Sequence, residues 1–165
     1  MKTLLTAIGL LLVAPAWAHG DAMHSEGPKA IAMEQKPWGI AAKPTSVTRT
    51  IEVSMDDRMR FTPDVINVSQ GERVRLRIHN SGQALHEFVL GSHDELMDHA
   101  QMMKRFPNME HDEPYMAHVP AGRTVDILWT FNRSGRFEFA CLLPGHYDAG
   151  MKGSVEVHKK DRKVQ

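Results

Sequence analysis

The stretch that decides the fold runs from Gly135 to Val157, GRFEFACLLPGHYDAGMKGSVEV. Phe137 and Phe139 flank Glu138 at its start, and Val155 and Val157 flank Glu156 at its end. Apolar and polar residues alternating at period two mark a strand with one buried face. Between the two strands Pro144-Gly145 signals a tight reversal. The same alternation extends outward. Ile51, Val53 and Met55 face one way. Val74, Leu76 and Ile78 interleave with Arg73, Arg75, Arg77 and His79, and Val125, Ile127, Trp129 and Phe131 with Thr124, Asp126 and Thr130. Turn signals separate these runs at Ser69-Gln70-Gly71, Asn80-Ser81-Gly82, Pro120-Ala121-Gly122 and Asn132–Gly135. The pattern predicts an all-β fold, an antiparallel Greek-key β-sandwich. One segment breaks the rhythm and predicts a short helical insertion around residues 93–106. Ser92-His93-Asp94-Glu95 fits the S-x-x-E capping box, Leu96, Ala100 and Met103 follow at helical spacing, and Pro107 stops the run.

The loop inside the deciding stretch carries the chemistry. Cys141, His146 and Met151 form C-x4-H-x4-M. A thiolate, an imidazole and a thioether on one tight loop can converge on one ion. A third strong ligand must come from elsewhere, and His86 stands ready at the start of the His86–Leu90 strand. Two imidazoles and one thiolate with a weak axial thioether make the trigonal site of electron-transfer copper.

Composition agrees. The chain has 165 residues, enough for one domain with a real core. Twenty basic residues balance twenty acidic ones, which excludes a general nucleic-acid binder. One Cys excludes a disulfide framework and thiolate-rich zinc sites, while ten His and eleven Met supply borderline and soft metal ligands. No Gly-rich phosphate loop, G-x-S-x-G or H-E-x-x-H motif occurs. Arg73, Arg75 and Arg77 read as a solvated, charge-paired strand face.

Residues 1–18 read as a signal peptide: Lys2, an apolar run from Leu4 to Val13, then Ala16-Trp17-Ala18 as the cleavage signal. The run is shorter than the roughly 20 residues a membrane span takes, and no Cys near the cut offers a lipid anchor. Cleavage after Ala18, export to a bacterial periplasm and no stable membrane anchor are the expectations. Residues 19–45 then form a flexible Met/His-containing tail with Pro28, Pro37 and Pro44, whose Trp38 and Ile40 can dock on the domain. The sandwich occupies 46–158, and 159–165 is a charged C-terminal tail.

The sequence resembles the cupredoxin family, small copper proteins that include azurin, plastocyanin and rusticyanin. The likeness covers roughly residues 46–158, and the C-x4-H-x4-M loop is its most specific part. It implies His86 and His146 as imidazole ligands, Cys141 as the thiolate and Met151 as the axial group of a type 1 copper. It also implies Leu142, Leu143 and Pro144 around His146 as the surface through which electrons enter. Phe139-Ala-Cys141, Pro144-Gly145-His146 and Met109-Glu-His111-Asp-Glu-Pro resemble, more narrowly, periplasmic cupredoxins of bacterial copper tolerance. In azurin-like members a small polar residue follows the first ligand His and ties the two copper loops together; here Glu87 stands in that place.

The insertion is dense in further ligand types. Met109 and His111, with His93 or His99, are candidates for a second, more open copper site, and Met97, Met103 and Met116 for packing the helix on the sandwich. In the tail, His19 after cleavage would offer an α-amine and an imidazole, with Met23 and His24 nearby, as a copper-capture site. The expected function is binding and redox cycling of copper in copper tolerance, with copper ions as the ligand and a periplasmic redox protein or copper-efflux component as partner. A soluble electron carrier is the alternative. An enzyme is not the expectation: a binuclear centre needs two thiolates, and the residues beside Cys141 are Ala140 and Leu142 rather than a His leading to a catalytic copper. A cuprous oxidase would need an open second copper.

Overall fold

The computed structural model describes residues 33–106 and 113–160. The signal peptide, the tail up to residue 32, the stretch 107–112 and residues 161–165 lie outside them. Two five-stranded sheets face each other across one core. The first has the order β1 (Ile40–Ala41), β8 (Thr124–Phe131), β5 (Glu72–Asn80), β2 (Arg49–Asp56), β3 (Arg60–Thr62). The second has the order β4 (Val65–Ser69), β10 (Lys152–His158), β9 (Gly135–Ala140), β6 (His86–Gly91), β7 (Met116–Val119). The inward residues are those the alternation marked: Ile51, Val53, Met55, Val74, Leu76, Ile78, Ile127, Trp129, Phe131, Phe139, Val155 and Val157 are buried. Arg75 and Arg77 on the outer face of β5 meet Asp126 at 3.5 and 3.8 Å, a charge-paired solvated face.

The sandwich is mixed rather than wholly antiparallel. β2 runs parallel to β5, and β4 parallel to β10; the other pairings are antiparallel. Alternation reports which face of a strand is buried and carries no information on its direction.

Under the ligand-bearing end the core is aromatic. Phe88 and Phe139 stack at 5.0 Å between centroids, and Phe61 meets both edge-on at 5.7 and 5.2 Å. These rings come from β6, β9 and β3, so they brace the strands that deliver the site. Such pairs add about 0.5–1.5 kcal/mol each beyond the area they bury.

The described part of the expected tail is not free. Trp38 is 2% exposed, meets Tyr115 edge-on at 5.6 Å, and through its carbonyl accepts the Trp129 indole N–H at 3.3 Å. Ile40 and Ala41 pair with Thr130 and Trp129 as the edge strand β1. Burying a large indole outweighs the freedom lost by ordering a few residues. The folded unit therefore begins before residue 46.

The insertion is α1, His93–Arg105, with Ser92 at its N-cap. The Ser92 hydroxyl bonds the Glu95 carboxylate at 2.5 Å and makes no side-chain bond to the helix backbone, so the two side chains pair with each other instead of forming the capping box. Leu96 and Met103 are fully buried and Met97 and Ala100 partly so. Leu96, with Met97 and Ala100 against it, joins Val89, Met116, Ala140 and Leu142 in a smaller core on the outer side of the second sheet. That sheet is thus covered on both faces, which is why β6 is buried at every residue and shows no alternation.

Candidate metal centre

Three side chains separated by up to 60 residues meet at one end of the sandwich. His86 Nδ1 lies 3.3 Å from His146 Nδ1, and Cys141 Sγ lies 3.2 Å from the same His146 atom. One donor atom from each residue falls within 4.8 Å of the others. His86 starts β6; Cys141 and His146 stand on the loop between β9 and β10.

Backbone hydrogen bonds shape the loop. Cys141 N–H donates to Met151 O at 3.0 Å, Met151 N–H to His146 O at 3.0 Å, and His146 N–H to Leu143 O at 3.0 Å. The reversal uses Gly145 at φ +84° and Gly150 at φ +101°, a region that residues with a Cβ rarely adopt. At Gly150 an added Cβ would also sit 2.7 Å from an Arg60 guanidinium nitrogen, which donates to Ala149 O at 2.7 Å. Met151 is fully buried in the same core as Cys141.

A second loop fixes His86. Asn80 is fully buried and donates through its amide to Ala84 O and Val119 O, both at 2.8 Å. Asp57 takes the backbone N–H groups of Gln83 and Ala84 at 2.7 and 3.1 Å, and its Oδ1 lies 3.0 Å from His86 Nε2. These bonds hold the Asp57 carboxyl below the usual carboxylate range, the two backbone donors first and His86 next. An ionised Asp57 accepts Nε2–H and leaves the His86 Nδ1 lone pair aimed at the site, the arrangement that outer carboxylates give metal-ligating histidines. Asp57 carried no motif in the sequence and belongs to no local pattern. Only the fold brings it to His86.

The donors fit a soft cation. Burial pushes the Cys141 thiol up to about 12, against the backbone N–H groups of Glu87 and Leu143 that pull it down. Burial, then the neighbouring His86, lowers the His146 pKa, so its ring is neutral and able to ligate. A positive ion among these atoms satisfies the converging lone pairs and displaces the thiol proton. A thiolate and two imidazoles are the strong ligand types of a trigonal copper site.

Glu87 makes the tie expected of a small polar residue. Its backbone N–H donates to Cys141 Sγ at 3.3 Å, and its Oε2 accepts the Leu142 N–H at 3.2 Å. The carboxylate is fully buried, and burial raises its pKa to about 7 despite the Leu142 bond. Leu142 is 2% exposed and faces α1, so it is not part of an entry surface; Leu143 is half-buried and Pro144 exposed beside half-buried His146.

The other candidate ligands separate. His93 is exposed and pairs with Glu138 at 3.3 Å, away from His99, whose Nε2 lies 3.8 Å from Glu87 Oε1. The structure therefore does not bring His93 and His99 to one ion. Met109, His111, His19, Met23 and His24 lie outside the described residues. Met116 is in the smaller core beneath α1 with Met97 packed against it, and Met103 is fully buried. His118, which sequence reasoning passed over, stands directly across from Glu87 in the β6–β7 pairing.

The profile of copper binding proteins of the plastocyanin/azurin family matches residues 47–158. The copper-resistant cuproprotein CopI of Rubrivivax gelatinosus is 41% identical, over 95% of this chain and 99% of its own. The protein of that name from Pseudomonas aeruginosa is 37% identical, over 73% of this chain and 82% of its own. Reduced auracyanin from Roseiflexus castenholzii shares the fold, with a TM-score of 0.58 and 21% identity over 67% of this chain and 98% of its own. With the match spanning residues 47–158 and three donor side chains converging at one end of the sandwich, the chain belongs to the plastocyanin/azurin family of copper-binding proteins.

Proposed function

We propose that this protein serves copper resistance in the periplasm, holding one copper ion with His86, Cys141 and His146 as strong ligands and Met151 as the axial one. The convergence of the first three donor atoms within 4.8 Å carries the reading, and the likeness to the CopI proteins, whose name states copper resistance, directs it to that role. Bound copper supplies a one-electron Cu(I)/Cu(II) couple. The chain's own part is to pre-shape the site. Asp57 orients His86, the Glu87 N–H steadies the sulfur, and backbone bonds from Cys141 to Met151 shape the loop. Fixed ligands limit rearrangement when the charge changes. Half-buried His146, with Leu143 and Pro144 beside it, faces outward and suits contact with a periplasmic redox protein or efflux component. No described helix is long and apolar enough to cross a membrane.

The test is growth of a deletion strain on graded copper, complemented by the wild-type protein or by Cys141→Ser. Restored tolerance with the first and none with the second is the expected result. Unchanged tolerance of the deletion strain together with impaired respiration would replace this reading with that of an electron carrier. In the purified protein, Cu(II) should give an intense thiolate-to-copper absorption that Cys141→Ser lacks.

A further inference from the structure

The turn between β2 and β3, Asp57-Arg58-Met59, is tightly closed and reaches both ligand-bearing loops. Asp56 accepts the Met59 N–H through its carbonyl at 3.0 Å and pairs with the Arg58 guanidinium at 2.6 Å. Met59 sits at φ +60°, a region uncommon outside glycine, so the chain reverses sharply there. To one side, Asp57 holds the Gln83 and Ala84 N–H groups and meets His86. To the other, Arg60, the first residue of β3, donates through Nη1 to Met59 O and to Ala149 O, both at 2.7 Å.

One nitrogen thus joins a carbonyl on the first sheet's turn to a carbonyl on the loop that carries His146 and Met151. Several of the loop's own bonds are local: Ala149 N–H to Gly145 O at 3.0 Å, Gly150 N–H to Tyr147 O at 2.9 Å, and Met151 N–H to His146 O at 3.0 Å. Local bonds keep the shape of a turn; a bond to the opposite sheet fixes where that turn rests. The Arg60 guanidinium also fills the space a Cβ on Gly150 would take, 2.7 Å from Nη1 and 3.1 Å from Cζ. Gly150, at φ +101°, is the residue before Met151. Arg60 is exposed, and bonds from such a side chain compete with water. Their effect is therefore read at the loop rather than in global unfolding.

We propose that Arg60 is a positioning residue for the copper loop: anchored on the β2–β3 turn, it holds the Ala149-Gly150 backbone and so sets how closely the Met151 thioether approaches the metal. This rests on the reading of Met151 as the axial ligand. Asp57, three residues earlier, places His86. One turn of the first sheet therefore gauges the spacing of ligands that arrive on two separate loops. The rigid fork of an arginine suits this task, since it can hold two carbonyls while lying against a backbone; a lysine ammonium carries the same charge without that shape.

The test is the reduction potential of the copper-loaded full chain carrying Arg60→Lys or Arg60→Gln, each alone and combined with Met151→Leu. The axial ligand tunes the potential of such a centre. A thioether resting farther from the metal donates less, and the oxidised ion loses more by this than the reduced one, so the potential rises. The expected result is a rise in Arg60→Lys with the thiolate-to-copper band retained, and no such rise once Met151 is Leu. Arg60→Gln should rise less, because losing a nearby positive charge pulls the potential down. An unchanged potential in Arg60→Lys, with a fall in Arg60→Gln, is a plain charge effect and overturns the proposal. So does an equal rise with Leu in place of Met151. If Met151→Leu alone leaves the potential where it was, the axial role of Met151 fails, and this proposal with it, while the three strong ligands stand. Guanidinium nitrogen NMR of the metal-free wild-type protein needs no variant. Rotation about the Arg60 Cζ–Nη1 bond should be slowed; free rotation overturns the proposal.

Discussion

Replacing Glu87 by Gln tests the electrostatics of the buried carboxylate in the metal-free protein. Glu87 is fully buried, and its pKa is raised from 4.5 to about 7, chiefly by burial. In the unfolded chain it titrates near its ordinary value. Between those two values the folded state holds a proton that the unfolded state has released, so stability falls as pH rises. At 1.36 kcal/mol per unit, the full loss is about 3 kcal/mol, most of it between pH 5 and pH 8. The groups facing Glu87 are His99 from α1, His118 from β7 and Cys141 with Leu142 from the copper loop. All of them remain in Glu87→Gln, and the amide oxygen can still accept the Leu142 N–H. The difference between wild type and variant therefore isolates the carboxylate. The assay is urea unfolding of both proteins at pH 5, 6, 7 and 8 with a chelator present. The variant should gain on the wild type by about 2–3 kcal/mol from the lowest pH to the highest. Parallel pH profiles would refute the claim that Glu87 pays a desolvation penalty in the fold.

Three further outcomes follow from the same geometry. Asp57→Asn weakens the acceptor that orients His86 and should lower copper affinity about 10–100-fold while leaving a thiolate-to-copper band, measured by chelator competition. The Cys141 thiol, pushed up to about 12, is protonated at neutral pH in the metal-free protein, so copper uptake at pH 7 should release about one proton to an indicator dye. Cys141→Ser should abolish that release at the first centre. Trp38→Ala removes a ring buried between Tyr115 and the strand of Trp129, and should cost about 3–5 kcal/mol in urea unfolding, far more than loss of a free tail would.

The parts of the molecule legible in the sequence were those encoded by neighbours in the chain. Phe137 to Val157 announced two strands and a ligand loop because period-two alternation and C-x4-H-x4-M are local patterns. The helix was legible from Ser92, Leu96 and Met103 for the same reason. Strand direction was not, since a buried face looks alike either way. β1, β3, β4 and β7 escaped notice because two to five residues are too few to display a period. Asp57 and His118 matter through what lies across space from them, His86 and Glu87, and no spacing records that. Glu87 looked like a departure from pattern; the longer side chain reaches Leu142 N–H and leaves its second oxygen facing the helix.

The helix laid over the second sheet also makes the copper centre one-sided. Ala140 and Leu142, the covalent neighbours of Cys141, both end in the apolar layer beneath α1. That layer is an insulating wall: a redox partner resting on the helix would be separated from the sulfur by the helix and its packing. Away from the helix, half-buried His146 and exposed Pro144 lie next to the converging side chains. The helix thus leaves the His146 end as the shorter approach to the Cys141 sulfur.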